Sequence, residues 1–103
     1  MRRGTTPTFT FDVDLDLSGW DYYVTFEQGS REITRKDAEV IPANDGGCQM
    51  LVRLTQEETL AFKAGVKGKA QIRACKDGDA VASTVFEFPV NDILLDGEIP
   101  QEV

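Results

Sequence analysis

A segment of strict alternation is the feature that most limits what this chain can fold into. From Thr8 to Leu17, every second residue is large and apolar, and the residues between them are threonine or aspartate. Successive side chains of a β-strand point to opposite faces, so this pattern predicts a strand with one face in a core and the other in water. The Ser18-Gly19 pair ends the alternation and marks a turn.

The same period of two recurs in shorter runs along the rest of the chain. Turn residues such as Gly29-Ser30 separate several of these runs and favour hairpins. The predicted strands are Thr8–Leu17, Trp20–Gln28, Arg31–Lys36, Ala38–Ala43, Cys48–Leu54, Lys69–Lys76 and Ala80–Val90. Pro42 favours an edge position for Ala38–Ala43, because proline cannot donate a ladder hydrogen bond. Apolar residues at both parities of Ala80–Val90 are typical of an interior strand covered on both faces.

A short helix is predicted between the strands Cys48–Leu54 and Lys69–Lys76. Thr55 is a favourable N-cap residue, and Glu58 completes the pattern of a capping box. Gly65 supplies a C-terminal stop. So short a helix is not stable without tertiary packing, and we interpret the segment as a crossover between two strands.

Together these elements predict an all-β fold. We expect an antiparallel, two-sheet β-sandwich of immunoglobulin-like size, with six to seven strands and one short helical crossover near residues 55–64. A chain of 103 residues suits a single domain, here residues 1–103. We expect its two ends, residues 1–7 and 97–103, to be flexible.

The charge and the apolar pattern of the chain disfavour two classes of partner. Asp and Glu number 18 against 11 Lys and Arg, for a formal net charge of -7. Proteins gain most of their affinity for nucleic acid from Lys and Arg, so we expect no nucleic-acid partner. Nothing approaches the roughly 18 consecutive apolar residues of a membrane helix, so we expect no membrane association. No apolar stretch follows Met1–Gly4, and we therefore predict no secretory signal peptide.

The residue types predict no catalytic, cofactor-binding or metal site, and hence no enzyme. Histidine, the commonest metal ligand and the usual base near neutral pH, does not occur in the sequence. Asp12, Asp14 and Asp16 resemble the start of a calcium loop. However, Leu17 and Tyr23 occupy the positions where that loop needs glycine and glutamate. We interpret the three aspartates as the solvated face of a strand, and calcium binding by that face stays open as an alternative.

The two cysteines are predicted to be unpaired. Cys48 shares its parity with the apolar Met50, whereas Cys75 shares its parity with Lys69 and Arg73. One thiol therefore faces the core and the other faces water, which disfavours the close Cβ atoms that a disulfide needs.

Two regions are candidates for contact with other molecules. Tyr23 has the opposite parity to its aromatic neighbours Trp20, Tyr22 and Phe26, so it is expected on the outer face as an anchor at an interface. Ile93, Leu94 and Leu95 form an apolar stretch within an otherwise acidic tail, and such a stretch needs a surface to cover it.

Several runs of the sequence resemble a known family across most of the chain. The runs are Leu17-Ser18-Gly19, Val24-Thr25-Phe26-Glu27-Gln28, Leu54-Thr55-Gln56-Glu57-Glu58-Thr59, Gln71-Ile72-Arg73, Asp77-Gly78 and Ile93-Leu94-Leu95-Asp96-Gly97. They resemble small immunoglobulin-like proteins of Gram-positive prophage structural modules. That group is similar to the N-terminal domain of the baseplate upper protein of lactococcal phages, a β-sandwich that attaches a receptor-binding apparatus to the tail.

The resemblance implies a non-enzymatic structural or protein-interaction module of a phage or prophage particle, associated with its tail or baseplate. Its partners would be other phage structural proteins or further copies of the chain. It would be found in the cytoplasm of the bacterial host or assembled into a virion. The alternative is a β-sandwich that binds a carbohydrate or another ligand through Tyr23, with or without assistance from calcium on the Asp12, Asp14 and Asp16 face.

Overall fold

The computed structural model describes residues 1–100, which form two antiparallel sheets and one short helix. In chain order the elements are β1 (Thr8–Val13), β2 (Asp21–Gln28), β3 (Arg31–Arg35), β4 (Glu39–Pro42), β5 (Cys48–Arg53), α1 (Gln56–Leu60), β6 (Gly68–Lys76), β7 (Asp79–Ala82) and β8 (Phe86–Phe88). The predicted all-β sandwich is confirmed, whereas its likeness to immunoglobulin domains stays a prediction. Residues 101–103, the end of the segment 97–103 that we expected to be flexible, lie outside the described residues.

The two sheets differ in size and share no strand. One sheet has three strands in the order β1-β5-β4. The other has five strands, in the order β3-β2-β6-β7, with β8 also paired to β6. β2 and β6 form its centre, and their register places Val24 opposite Ile72 and Phe26 opposite Ala70. All four of these side chains are buried, so the sequence alternation of β2 correctly identifies its core face.

Phenylalanine rings from both sheets fill the space between them. The ring of Phe9 on β1 lies 5.1 Å from that of Phe26 on β2 and 5.0 Å from that of Phe88 on β8, both edge to face. The ring of Phe11 lies 5.1 Å from that of Phe86 on β8, with the two ring planes tilted by 50°. Such aromatic pairs contribute about 0.5–1.5 kcal/mol each beyond the area they bury. The rings therefore fix how the three-stranded sheet sits on the five-stranded one.

Gly68 leaves the space that the ring of Phe88 occupies. A Cβ atom at this first residue of β6 would lie only 2.3 Å from Cζ of Phe88, which pairs with Gly68 across the ladder. The ring of Phe88 thus lies over the backbone of Gly68, where any side chain would displace it.

The predicted helical crossover is confirmed. The Thr55 hydroxyl accepts a hydrogen bond from the amide of Glu58 at 3.1 Å, and the Glu58 carboxylate accepts one from the amide of Thr55 at 2.9 Å. These two bonds complete the capping box at the start of α1. The buried Thr59 hydroxyl donates to the carbonyl of Thr5 at 2.9 Å. α1 leads from β5 in one sheet to β6 in the other.

The first strand is shorter than its alternation predicts. β1 ends at Val13, and the chain then bends, with the Asp16 amide donating to the carbonyl of Gly46 at 3.0 Å. The carboxylate of Asp16 accepts hydrogen bonds from both the amide and the hydroxyl of Ser18, which stabilise this turn locally. Leu17 is buried, but Leu15 is 41% exposed, so the expectation that Leu15 faces the core is wrong.

The expectation of one interior strand at Ala80–Val90 is also wrong, and this brings the count within residues 1–100 to eight strands rather than six or seven. β7 and β8 are separate, and both lie at the edge of β6. Between them, Ser83 exchanges hydrogen bonds with Ile72 of β6: its amide donates to the Ile72 carbonyl, and its hydroxyl accepts from the Ile72 amide. The Ser83 hydroxyl thus accepts the bond that a backbone carbonyl accepts in a regular ladder, and the strand is interrupted here.

The fourth strand joins a different sheet from its predecessor. β4 pairs with β5 and not with β3, and its edge position agrees with the prediction from Pro42. Arg35, at the end of β3, donates to both carboxylate oxygens of Asp37, to Glu58 of α1 and to the carbonyl of Arg53. These bonds hold the point where the chain crosses between the sheets.

The start of the chain, within residues 1–7 that the sequence predicts to be flexible, is paired with the segment that follows β8. The Asn91 amide donates to the carbonyl of Met1 at 2.7 Å, and the Arg3 amide donates to the carbonyl of Asn91 at 2.9 Å. Arg2 and Asn91 thus form a parallel bridge. Backbone bonds of this kind order a terminus that composition alone marks as loose.

We predict that Gly68→Ala lowers the free energy of unfolding by about 1–3 kcal/mol, because the added Cβ overpacks the Phe88 ring. Urea unfolding followed by tryptophan fluorescence measures the change. Lys69→Ala at the neighbouring exposed position is the matched control and changes the stability by less than about 0.5 kcal/mol. Equal unfolding midpoints for the two variants would contradict the close packing of Phe88 on Gly68.

Candidate side groove

An apolar groove opens between the edges of the two sheets on one side of the sandwich. We call it the side groove. It lies between β1 with the turn after it and β7 with the turn to β8, and its volume is about 370 Å³. Its apolar lining consists mainly of Val13, Leu15, Leu17, Ile72, Ala74, Val81 and Phe86. Leu15 is 41% and Val81 40% exposed, so large aliphatic groups face water here.

Val81 lies in the groove because of its register. It pairs with Ala74 of β6, which is buried on the core side of the sheet. Since paired residues in an antiparallel ladder project to the same face, Val81 also points to the core side. At this edge the three-stranded sheet does not cover it, and an inward-facing valine is left in contact with solvent.

Both walls of the groove are strands at the ends of their sheets. β1 is the first strand of the order β1-β5-β4, and β7 is the last of the order β3-β2-β6-β7. Within residues 1–100, each of these two strands pairs with one neighbour only. Every residue of β7 is exposed, so its outer backbone edge is accessible to another chain.

The other two sheet edges carry protective features that β7 lacks. β3 contains charged residues at Arg31, Glu32 and Arg35, and β4 ends in Pro42. Charged side chains and proline are the usual means by which proteins prevent edge strands from pairing with other chains. β7 has the sequence Asp-Ala-Val-Ala and carries a charge only at its first residue. The side groove therefore has the least protected edge of the sandwich.

The charge around the groove is acidic. Asp12 and Asp14 line its β1 wall, and none of the described residues that line it is lysine or arginine. Asp16 follows in the same turn, and hydrogen bonds from the Ser18 side chain and amide lower the pKa of its carboxyl group. This carboxylate therefore keeps its negative charge to lower pH than an ordinary aspartate.

The three aspartates do not assemble into a metal site. Asp12 accepts a hydrogen bond from Gln49 on β5, whereas Asp16 is engaged by Ser18 in the following turn. Among residues 1–100, no group of three or more histidine, cysteine, aspartate or glutamate residues is arranged to hold a metal ion.

A second surface, the outer face of the five-stranded sheet, carries the predicted contact residue Tyr23. Its ring is 41% exposed, as its parity predicts, and the ammonium of Lys36 lies 4.9 Å from the ring centroid. Arg73 is directly opposite Tyr23 on β6. An open depression of about 370 Å³ is lined by Tyr23 and Arg73 together with Thr25 and Thr34, whose hydroxyls are 3.2 Å apart.

The other predicted contact residues lie elsewhere, in the segment that follows β8. Ile93 is half-buried against Gly4 and Leu60, whereas Leu94 and Leu95 are exposed. Ion pairs of Arg3 with Asp92 and Asp96, at 2.9 and 3.5 Å, hold the segment to the start of the chain. The amide and the carbonyl of Ile99 both bond the side chain of Gln56. The tail is thus held against its own chain, with two leucines uncovered.

The two cysteines differ in exposure as their parities predict. Both cysteines are free: Cys48 is buried, with its thiol 3.4 Å from the carbonyl of Leu15, and Cys75 is exposed on the outer face of β6. No cysteine lines the side groove among the described residues.

Comparison of the chain with family models, with curated proteins and with solved structures finds no match. Within residues 1–100, no helix is long and apolar enough to cross a membrane.

The side groove is the surface that sequence reasoning missed. The sequence pattern places Val81 and Phe86 in an interior strand, whereas they line an open edge. The signal that could have found it is Ser83-Thr84, a polar pair in the middle of the apolar run Ala80–Val90. Serine and threonine favour local hydrogen bonds over ladder pairing, which suits an interrupted strand.

We predict that the two thiols react at very different rates in the folded protein. Cys75 is exposed and Cys48 is 3% exposed, so a disulfide reagent modifies Cys75 rapidly and Cys48 only when the chain opens. The measurement is the number of thiols modified with time by Ellman's reagent, with and without denaturant. Cys75→Ser removes the fast phase, and a fast phase that persists in this variant would contradict the burial of Cys48.

Proposed function

We propose that this protein is a non-enzymatic interaction module of a phage or prophage particle, associated with the tail or baseplate. The observation that carries the interaction role is the accessible edge of β7 beside an apolar groove. The resemblance of the sequence to small immunoglobulin-like proteins of prophage structural modules supports the setting in a particle. Its partners are other structural proteins of the particle or further copies of the chain.

The physical basis of the proposal is the incomplete side of the sandwich. A strand added to β7 gains main-chain hydrogen bonds and covers apolar groups that now face water, among them Leu15 and Val81. Each buried square ångström of apolar surface contributes about 25 cal/mol. The uncovered Leu94 and Leu95 are a second place at which assembly removes apolar surface from water.

We expect the purified chain either to self-associate or to bind a tail or capsid protein of the phage or prophage that encodes it. Light scattering on a sizing column across a range of concentrations gives its native mass, because closed symmetric assembly is usual for a structural building block. Pull-down with each purified tail and capsid protein tests binding to other components. A chain that stays monomeric and binds none of them would contradict the proposal.

A second candidate function is favoured by the depression around Tyr23. An exposed aromatic ring beside Arg73 and two threonine hydroxyls offers both stacking and hydrogen bonds to a sugar ring. Under this alternative the protein is a β-sandwich that binds a carbohydrate or a similar ligand. Asp12, Asp14 and Asp16 are not arranged to hold a metal ion, so their geometry does not support assistance by calcium.

The ligand alternative predicts a rise in the melting temperature with a cell-wall sugar, because a ligand that binds only the folded state stabilises it. Thermal unfolding with a panel of such sugars, with and without calcium, measures this shift. Tyr23→Ala abolishes the shift under this alternative, whereas Val85→Ala, elsewhere on the exposed surface, leaves it unchanged. No shift with any sugar or with calcium would eliminate the alternative.

A further inference from the structure

We propose that the side groove binds an extended segment of a partner protein, which adds to the outer edge of β7 as a further strand. The segment carries aliphatic side chains at every second position and lysine or arginine at its ends. The proposal rests on the proposed function and specifies the chemical character of the segment that binds the side groove.

The backbone of β7 provides the first part of the recognition. β7 is exposed along its whole length and pairs on one side with β6. A strand alongside it would extend the five-stranded sheet, in which all pairings are antiparallel. Main-chain bonds of this type supply affinity without regard to sequence, so selectivity must come from the side chains.

The groove provides the second part. Side chains of the added strand that point to the core side lie next to Val81, and Leu15 and Phe86 form the remaining walls. Its floor is formed by the buried residues Ile72 and Ala74. Because successive residues of a strand face opposite ways, only alternate positions of the segment enter this apolar space. Aliphatic residues at those positions, with polar residues between them, match the groove.

The acidic surroundings provide the third part. Asp12 and Asp14 line the groove, and its lining within the described residues includes no lysine or arginine. Lysine or arginine at the two ends of the segment would be attracted to these aspartates, whereas carboxylates there would be repelled. A second copy of the chain is therefore a poor occupant, since its exposed apolar tail carries Asp92, Asp96 and Glu98. The charge points to a basic segment of a different protein.

The experiment uses the full chain labelled with ¹⁵N and a synthetic peptide of about ten residues, a length that spans one strand. Valine and threonine alternate in its centre, and two lysines stand at each end. A second peptide has glutamates in place of the lysines. A third has proline in place of the central threonines, whose amides face β7 when the valines enter the groove. Backbone amide shifts map the contact, and titration gives the dissociation constant for each peptide.

We expect the lysine peptide to shift the amides of β7 and of the turn that contains Leu15. Its dissociation constant should be at least about tenfold lower than that of the glutamate peptide. The proline peptide should not bind, because proline removes the donors that pair with β7.

Two lysine substitutions on β7 separate the groove from general charge effects. Val81→Lys places a charge in the groove, and Ala80→Lys places the same charge on the opposite face of the same strand. Both positions are exposed, and thermal unfolding verifies that each variant folds. Val81→Lys should weaken binding of the lysine peptide at least about tenfold, and Ala80→Lys less than about threefold.

Each other result overturns the inference. Absence of β7 shifts with every peptide, equal affinity for the two charged peptides, or equal effects of the two lysine substitutions would each do so. Self-association that Val81→Lys abolishes would identify a second copy as the occupant instead. The proposed function is decided separately by native mass and pull-down, so a chain that binds tail proteins but not the lysine peptide retains its function and loses this groove partner.

Discussion

The packing of phenylalanine rings between the two sheets is the interaction on which the rest of the structure depends. Phe9 on the three-stranded sheet contacts both Phe26 and Phe88 on the five-stranded sheet, edge to face. Such contacts require particular distances and tilts, so they set the position of one sheet on the other. Gly68 leaves the space in which Phe88 lies. Gly68 in β6 therefore affects how the two sheets align.

The same packing leaves one side of the sandwich open. The rings of β8 are buried or half-buried against β1, but β7 extends beyond this contact with every residue exposed. The interruption at Ser83 separates these two halves of the edge, because this residue bonds Ile72 in place of a regular ladder pair. An edge strand without proline or internal charge is a hazard for a protein that must stay unpaired. For an interaction module the same edge is a ready surface for a partner.

The sequence predicts the local secondary structure well and the long-range contacts poorly. Alternation identifies β2 and β5 almost to the residue, and Thr55 with Glu58 correctly marks the start of the helix, because these signals act within a few residues. The parity of Tyr23 also correctly predicts its exposure. The break at Ser83 and the crossing at Arg35 depend on partners distant in the chain, and periodicity carries no information about them. The side groove arises from the break, so alternation alone does not predict it, and the polar pair Ser83-Thr84 is its local sign.

In the proposed function, the edge of β7 is the surface through which this protein contacts its partner. Hydrogen exchange of the backbone amides, measured on the chain alone and in its assembly, tests that claim most directly. We expect the outward-facing amides of Ala80 and Ala82 to exchange rapidly in the free chain and to become protected in the assembly, while those of β3 are unchanged. Protection confined to the face around Tyr23 or to Ile93–Leu95, with β7 still exchanging freely, would contradict it.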